Sequence, residues 1–576
     1  SITESISERL ALLQATKLDL EKLTKLLKKK ISPSFKRNRA FLKKNASNIY
    51  VFTSGFREYV VPVIKELGLR EDRVFANTFI FSEDRKIIGF DKKNLLSQES
   101  GKVAQLIALK PKKSVIVIGD GFTDLQMKES GLVKEFIAYT ENIERAVVVK
   151  GADRVAKSFD EVLYDYKIPA KLSYPKSKMV ALMLEGVHPQ GLEALRAEGY
   201  SVKSIPEALS EKDLANEIKN VSLLGIRSKT KVTKEALKNA SKLIGIGAFC
   251  IGTEQIDSIA CSEQGVVVFN APYSNTRSVV ELALGEIIML MRRTFESSTE
   301  LHAGKWQKSA SGCFEVRGKK LGIVGYGNIG SQLSVIAESL GMEVFYYDVT
   351  EKLSLGNAKK CRTLAELLKT VDIVTIHIDG RTSNKHFISK REFSSMKRGT
   401  IFLNLSRGNV VDIEALAAAI KEGRVAGAGL DVYPYEPLSN KEEFLCNLRG
   451  LPNVILTPHI GGSTLEAQRN IAQYVSARLI EYINTGSSFG SVNFPNIQLP
   501  TLQKAHRFLH VHSNVPGILA QINGILAKGK MNILGQYLKT NEQIGYVITD
   551  VNKKDNDSIV SELKEIPETI KFRVLY

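Results

Sequence analysis

Residues 321–330 read LGIVGYGNIG, an apolar run that breaks into glycines and then opens a helical pattern. Gly325, Gly327 and Gly330 stand at G-x-G-x-x-G spacing. The first suits a tight turn after a strand, and the second leaves the backbone bare for close approach by a diphosphate. The third lets the following helix settle against the sheet, so that the first N–H groups of that helix, at Asn328 and Ile329, face an anion. The next apolar run ends in Asp348, 23 residues after Gly325. A carboxylate there can accept hydrogen bonds from a ribose diol and would repel a 2′-phosphate, which favours NAD over NADP. Outward from this unit, apolar runs alternate with helical patterns from Val180–Leu184 to about residue 480. The runs include Val221–Ile226, Lys242–Ile246, Val266–Phe269, Leu321–Gly325, Val344–Tyr347, Ile373–Ile376, Ile401–Leu405 and Val454–Thr457, and such alternation predicts parallel α/β sheets.

A chain of 576 residues exceeds one hydrophobic core, so three to five domains are expected. Hydrophobic residues at 43% and charged residues at 25% exclude a collagen, a disordered tail and a disulfide scaffold. No window approaches 18 uncharged apolar residues, which speaks against a membrane span. The first residues have no basic and apolar signal pattern. Cys250, Cys261, Cys313, Cys361 and Cys446 lie far apart, which argues for reduced thiols and a cytoplasmic protein. Residues 1–177 hold 33 Lys and Arg against 22 Asp and Glu, so +11 of the net +18 sits in the first third. The plain reading is a solvated face. A surface for phosphorylated small molecules is a second reading, and no nucleic-acid module supports a third.

In that first third, residues 5–30 show helical apolar spacing (Ile6, Leu10, Leu13, Leu18, Leu20, Leu23, Leu26). Asn48–Phe52 and Ser114–Ile118 read as buried strands, with Glu58–Leu67 a helix between them. Residues 167–178 and 484–502 read as linkers. After the second linker comes a β-α-β-β-α-β pattern: strands Phe508–His512, Ile533–Lys539, Ile544–Asp550 and Lys571–Leu575, helices Gly517–Lys528 and Asp557–Ile566.

Three further segments fall at strand ends, where open α/β sheets hold their ligands. They are Asn404–Gly408 with Arg407, Asp431–Pro437 with Glu436, and Thr457–Gly462 with His459. His459 could exchange a hydroxyl proton, Glu436 could hold its imidazolium form, and Arg407 could grip a carboxylate. Taken singly, each also reads as an ordinary sheet-edge Arg, Glu-Pro turn or capped loop His.

Together their order and spacing resemble the D-2-hydroxyacid dehydrogenases over residues 178–480. The segments GIRSKTK (225–231), GAFCIGTEQID (247–257), NAPYSNTRSVVE (270–281) and STLEAQRNI (463–471) resemble the phosphoglycerate dehydrogenase branch of that family. The resemblance implies NAD-dependent oxidation of D-3-phosphoglycerate in serine biosynthesis, with Arg407, Glu436 and His459 catalytic. Arg227 and Lys229 would contact the substrate phosphate, Asn275 would line the substrate and nicotinamide pocket, and Asp431 would serve the cofactor. Lys229 replaces a commoner Arg, and Ala248 a frequent Cys. A dehydrogenase for another 2-hydroxy acid and an NAD-sensing binding protein are the rival readings.

The last 74 residues resemble an ACT domain, which implies L-serine as an effector at His512, Asn514 and, from a partner subunit, Asn532. A homo-oligomer follows, with a tetramer the best guess. Residues 1–165 resemble a phosphoserine phosphatase of the haloacid dehalogenase superfamily. That resemblance implies phosphoserine as substrate, Thr53 and Lys102 as phosphate contacts, and Mg²⁺ on Asp120 and Asp124. Its D-x-D nucleophile has no counterpart here, since Asp19 is the sole Asp before Thr53. The domain is therefore expected to be inactive as given, and the chain to be a fragment whose parent begins upstream.

The expected fold is multidomain α/β. A haloacid dehalogenase-like Rossmannoid domain spans 1–166 and a linker 167–178. The dehydrogenase supplies two doubly wound domains, for substrate at 179–275 (completed by 460–483) and for NAD at 276–459. After the linker 484–502, an α+β ACT domain spans 503–576.

Overall fold

The computed structural model describes residues 2–11, 15–166, 175–437, 441–500, 505–552 and 557–575. Its largest sheet has seven parallel strands in the order Lys359–Lys360, Glu343–Tyr347, Lys320–Val324, Ile373–Ile376, Thr400–Asn404, Val425–Leu430 and Val454–Leu456. Strands such as Ile373–Ile376 and Thr400–Asn404 are buried throughout because helices cover both faces, each over its own apolar core. Chain order reverses beside Lys320–Val324, the position at which a crevice opens beyond the strand ends. Val425–Leu430 (VAGAGL) carries too little apolar side chain to announce itself as a strand. Its glycines leave room for neighbours: a Cβ on Gly427 would stand 2.2 Å from Asn453 Nδ2, and one on Gly429 2.4 Å from Glu286 Oε2.

A second parallel sheet has five strands, ordered Val267–Phe269, Gly245–Ala248, Val221–Ile226, Val180–Met183 and Ser201–Ser204. Helix Leu465–Thr485 follows the seven-stranded unit in sequence but packs its Ile471, Val475, Leu479 and Tyr482 onto this second sheet. The chain therefore crosses between the two units at Asn275 and at the segment Thr457–Gly462, with the strand-end cleft between them.

The C-terminal sheet is antiparallel, ordered Ile533–Thr540, Ile544–Val551, His506–Ser513 and Thr569–Leu575, with helices Ile518–Lys528 and Asp557–Lys564 on one face. The other face is covered over its inner strands, while Tyr537 of the edge strand Ile533–Thr540 is exposed. Leu509, Val511, Tyr546 and Ile548 share one core with Phe494, Ile497 and Leu499 and with the five-stranded unit. The linker expected at 484–502 is thus corrected over 484–500. Val492 N donates to Val268 O at 2.8 Å, Val268 N donates to Asn493 Oδ1 at 2.8 Å, and Ser487 and Ser488 are buried. Its Ser and Asn side chains satisfy backbone groups instead of water; residues 501–502 lie outside the described residues. Residues 167–174 of the first expected linker also lie outside them. The remainder is anchored, with Lys176 and Ser177 buried and Lys176 paired to Glu198.

The first third differs from expectation at its start. In place of one helix over 5–30 there are two, Ile2–Ala11 and Lys17–Lys29, and Leu13 lies outside the described residues. Thr16 restarts the second helix through a reciprocal cap with Asp19. The parallel strands form two separate sheets: Val51–Phe56 with Val74–Asn77, and Val115–Gly119 with Val133–Tyr139 and Arg154–Ala156. Among the described residues, Val51–Phe56 and Val115–Gly119 each keep one edge without a ladder partner, although Phe52 packs against the same core as Val115 and Val117. No helix among the described residues is long and apolar enough to cross a membrane, and the five cysteines are free.

Candidate active site

The glycine turn is built as its spacing requires. Gly325 has φ +93°, and a Cβ on it would meet the carbonyl oxygen of His377 at 2.5 Å. A Cβ on Gly330 would stand 2.3 Å from Gly325 O, whereas nothing lies within 4 Å of one on Gly327. The turn is therefore closed on its protein side and open before Gly327, and helix Asn328–Ser339 starts directly beyond it. This shape fits a dinucleotide diphosphate. Asp348 Oδ2 accepts from Tyr326 N at 2.8 Å, and Oδ1 accepts from the Thr350 N–H and hydroxyl at 2.9 Å. Burial alone would raise this carboxyl, but these donors outweigh it and hold it below the ordinary range. It is a fixed carboxylate beside the turn.

The three strand-end segments converge. His459 lies in the left-handed region at φ +54°, unusual for a residue with a side chain. It is held there by Asp431, which is almost wholly buried. Asp431 Oδ1 accepts from Thr457 Oγ1 at 2.6 Å and Ile460 N at 2.7 Å, and Oδ2 accepts from Gly461 N at 2.7 Å. Burial nevertheless raises the Asp431 carboxyl. His459 Nδ1 meets Glu436 Oε2 at 2.8 Å and Oε1 at 3.1 Å, which leaves Nε2 for a substrate. The bond to Glu436 raises the imidazole above its ordinary value of 6.5 despite desolvation. Burial pushes Glu436 the other way, but His459 prevails and its carboxyl is lowered.

Arg407 follows strand Thr400–Asn404. The buried Asn404 donates to Arg407 O at 3.0 Å, and Arg407 Nη1 donates to Ser406 O at 2.9 Å. Gly408 explains why the turn and the Glu436 segment sit together. A Cβ there would stand 1.9 Å from the Tyr433 carbonyl carbon, so only a glycine lets the two backbones touch. Arg407 is close enough to lower both Glu436 and His459.

Arg227 and Lys229 lie on the loop after strand Val221–Ile226, across the cleft. Glu185 fixes this loop by accepting from Lys229 N at 3.0 Å and Thr230 N at 2.8 Å. Among the described residues, neither side-chain cation has a hydrogen-bond or ion-pair partner, so both are free for an anion. Asn275 precedes helix Thr276–Arg292 and packs on the His459 segment. A Cβ on Gly462 would stand 2.4 Å from its Nδ2, and its buried Oδ1 has no partner among the described residues. Glu185, Glu254 and Gly408 were not singled out from sequence. Each acts on a residue far away in the chain, although Gly408 directly follows Arg407 in its strand-end segment.

In the C-terminal sheet, His512 is buried with Nδ1 against Ser513 O at 2.7 Å, and Asn514 donates to Asn541 O at 2.7 Å. Asn532 lies at the opposite end of the sheet, since Ile533 pairs with Val551 while Ser513 pairs with Ile544. One chain therefore does not unite the three.

In the N-terminal third, Thr53 Oγ1 accepts from Gly55 N at 3.0 Å. Lys102 pairs with Asp124 at 2.7 Å, and Asp124 also accepts from Gly121 N at 3.0 Å. Asp120 is covered by Arg145, which also donates to its backbone carbonyl at 2.6 Å. Both carboxylates proposed as metal ligands thus carry a cationic partner. No group of three or more His, Cys, Asp or Glu suited to a metal occurs among the described residues. A cleft of about 560 Å³ is lined by Ser54, Arg9, Tyr59 and apolar groups such as Leu20 and Phe79, and not by Thr53, Lys102, Asp120 or Asp124.

Residues 284–461 match the family model of the D-isomer specific 2-hydroxyacid dehydrogenase NAD binding domain, and residues 508–571 that of the AHAS small subunit-like ACT domain. The chain is 50% identical over 407 residues to a D-3-phosphoglycerate dehydrogenase of Haemophilus influenzae, covering 70% of this chain and 99% of the relative. It is 47% identical to that of Dictyostelium discoideum (70% and 99%) and 46% identical to that of Escherichia coli K12 (71% and 100%). With nearly the whole length of such relatives matched at this identity, the chain belongs to the D-3-phosphoglycerate dehydrogenase family.

Proposed function

We propose that the protein oxidises D-3-phosphoglycerate to 3-phosphohydroxypyruvate with NAD, as a step of L-serine biosynthesis. The observation that carries this reading is the His459–Glu436 pair beside Arg407, which Glu254 and Gln255 tie to the loop of the unpartnered Arg227 and Lys229. One end of the cleft suits a carboxylate and the other a phosphate, with a proton acceptor between them.

NAD supplies the hydride acceptor, and the open face at Gly327 with the fixed Asp348 carboxylate suits its diphosphate and adenosine ribose. Arg407 binds the substrate carboxylate and polarises C2. His459 Nε2 takes the hydroxyl proton as the hydride leaves C2. Glu436 stabilises the imidazolium that forms and keeps Nδ1 engaged. Arg227 and Lys229 hold the phosphate end, which fixes the orientation of C2. Asp431 holds the His459 loop, and Asn275 lines the nicotinamide and substrate pocket. In this reading the substrate-binding unit spans 179–275 with 460–483, and the NAD-binding unit spans 276–459. Formation of NADH with 3-phosphoglycerate, but not with D-lactate or D-glycerate at equal concentration, tests the assignment.

The ACT-like domain fits an amino-acid effector. L-serine binding at His512 and Asn514, with Asn532 supplied by a second copy in a homo-oligomer, agrees with the separation of these residues within one chain. For the N-terminal third, a phosphoserine phosphatase-like domain that lacks its central strand would account for parallel strands divided between two separate sheets. Mg²⁺ on Asp120 and Asp124 would require Arg145 and Lys102 to give way. Phosphate release from phosphoserine by this chain, with and without Mg²⁺, tests that part.

A further inference from the structure

The segment after strand Gly245–Ala248 reaches across the cleft and makes two opposite attachments. Gln255 Nε2 donates to Arg227 O at 2.6 Å and so ties this segment to the loop that carries the free cations. Its neighbour Glu254 turns to the other unit, where its Oε1 accepts from Arg407 Nε at 3.2 Å, 153 positions further along the chain. Gly252 lies against the pair: a Cβ on it would stand 2.4 Å from Glu254 Oε2 and 3.1 Å from Arg407 Nη2.

A guanidinium grips a carboxylate best through two parallel N–H donors. In Arg407, Nη1 is engaged by Ser406 O, and the Nε edge is engaged by a carboxylate of the protein itself. Burial opposes ionisation of Glu254, but Arg407 outweighs it and lowers the carboxyl, so the group is charged at neutral pH. The Glu254 side chain is 61% exposed. It is therefore free to turn into solvent, and the pair has only the modest strength of an exposed one.

We propose that Glu254 is a latch across the cleft, pairing with Arg407 in the free protein and displaced by the carboxylate of the incoming 2-hydroxy acid. The inference rests on the reading of Arg407 as the carboxylate-binding group. Every substrate must then exchange one carboxylate for another at Arg407, and its hold there is reduced by the modest strength of the displaced pair. A small 2-hydroxy acid has nothing more to offer. A phosphorylated one also engages Arg227 and Lys229 and so overcomes the exchange. Glu254 thereby weakens every carboxylate ligand by the same factor, so that useful binding depends on the additional hold of Arg227 and Lys229 on a second anionic end.

Glu254→Gln removes the charge at an exposed position and keeps the size. Its KM for 3-phosphoglycerate should fall roughly two- to fivefold, the range an exposed ion pair allows, with the change carried by KM and not by kcat. Oxalate, a carboxylate probe with no phosphate end, should bind the NADH-loaded variant tighter than the parent by a similar factor in calorimetry. A KM that is unchanged or raised would overturn the latch, the raised value meaning that Glu254 aims Arg407 instead. If the parent turns over no 3-phosphoglycerate, the substrate reading fails. The oxalate comparison then decides alone: equal affinity overturns the latch and tighter binding upholds it.

Discussion

Replacing Glu436 with Gln isolates the electrostatic part of the proton-transfer pair. The amide keeps the shape and the bond from Tyr433 N, 3.2 Å away, but loses the charge opposite His459 Nδ1. Both side chains are more than a third exposed, at 48% and 38%, so solvent screening limits the coupling to about 1 kcal/mol. In the oxidation direction His459 must be neutral to take a proton. The parent's acid limb therefore lies above 6.5, and in the variant it moves down. The plateau rate should fall by about fivefold, the equivalent of that coupling.

The stability consequence has a defined sign. The raised His459 value stabilises the fold below about 6.5 and loses effect as pH rises through the folded value. The lowered Glu436 value stabilises above about 4.5 and loses effect as pH falls through its folded value. The Gln variant should thus be less stable than the parent chiefly between those limits, and equal to it in strong acid. Initial rates of NADH formation across pH, with melting curves in the same buffers, read both effects. An acid limb that stays in place in Glu436→Gln would show that another group accepts the proton.

His459→Ala should lower turnover by about 10²–10⁴-fold while NADH binding measured by fluorescence is kept; near-normal turnover would remove His459 from the chemistry. Burial pushes the Glu286 carboxyl up to about 8 from an ordinary 4.5, so the unfolded chain releases this proton first and the parent loses stability as pH rises across that interval. Glu286→Gln should flatten that loss, and parallel melting curves for both proteins would refute the assignment. L-serine should lower the dehydrogenase rate through a coupling of about 1–3 kcal/mol. An Asn514→Ala variant that responds as the parent does would place the effector elsewhere. The 576-residue chain should release no phosphate from phosphoserine with Mg²⁺; release abolished by Asp120→Asn would reveal an unrecognised nucleophile.

Features carried by neighbouring residues were legible in the sequence. Gly325, Gly327 and Gly330 announce their turn because each glycine's role follows from its own missing Cβ. Apolar runs such as Val221–Ile226 announce strands because burial on both faces demands an unbroken run. Arg407, Glu436 and His459 were legible as types at strand ends. Their relative placement depends on contacts that no local pattern encodes. Gly408 must touch Tyr433, Asp431 must span 30 positions to hold Gly461, and Glu254 must find Arg407 from the opposite sheet. For the same reason residues 484–500 passed for a linker, since Ser487, Ser488 and Asn493 are polar in any local reading. Only the packed sheets reveal that their hydrogen bonds go to backbone groups brought close by the fold. Composition and period determine which segments become strands and helices, because those forces act within a few residues. Which carboxylate faces which cation is decided by folding, because loops hundreds of residues apart become neighbours only when the apolar faces close.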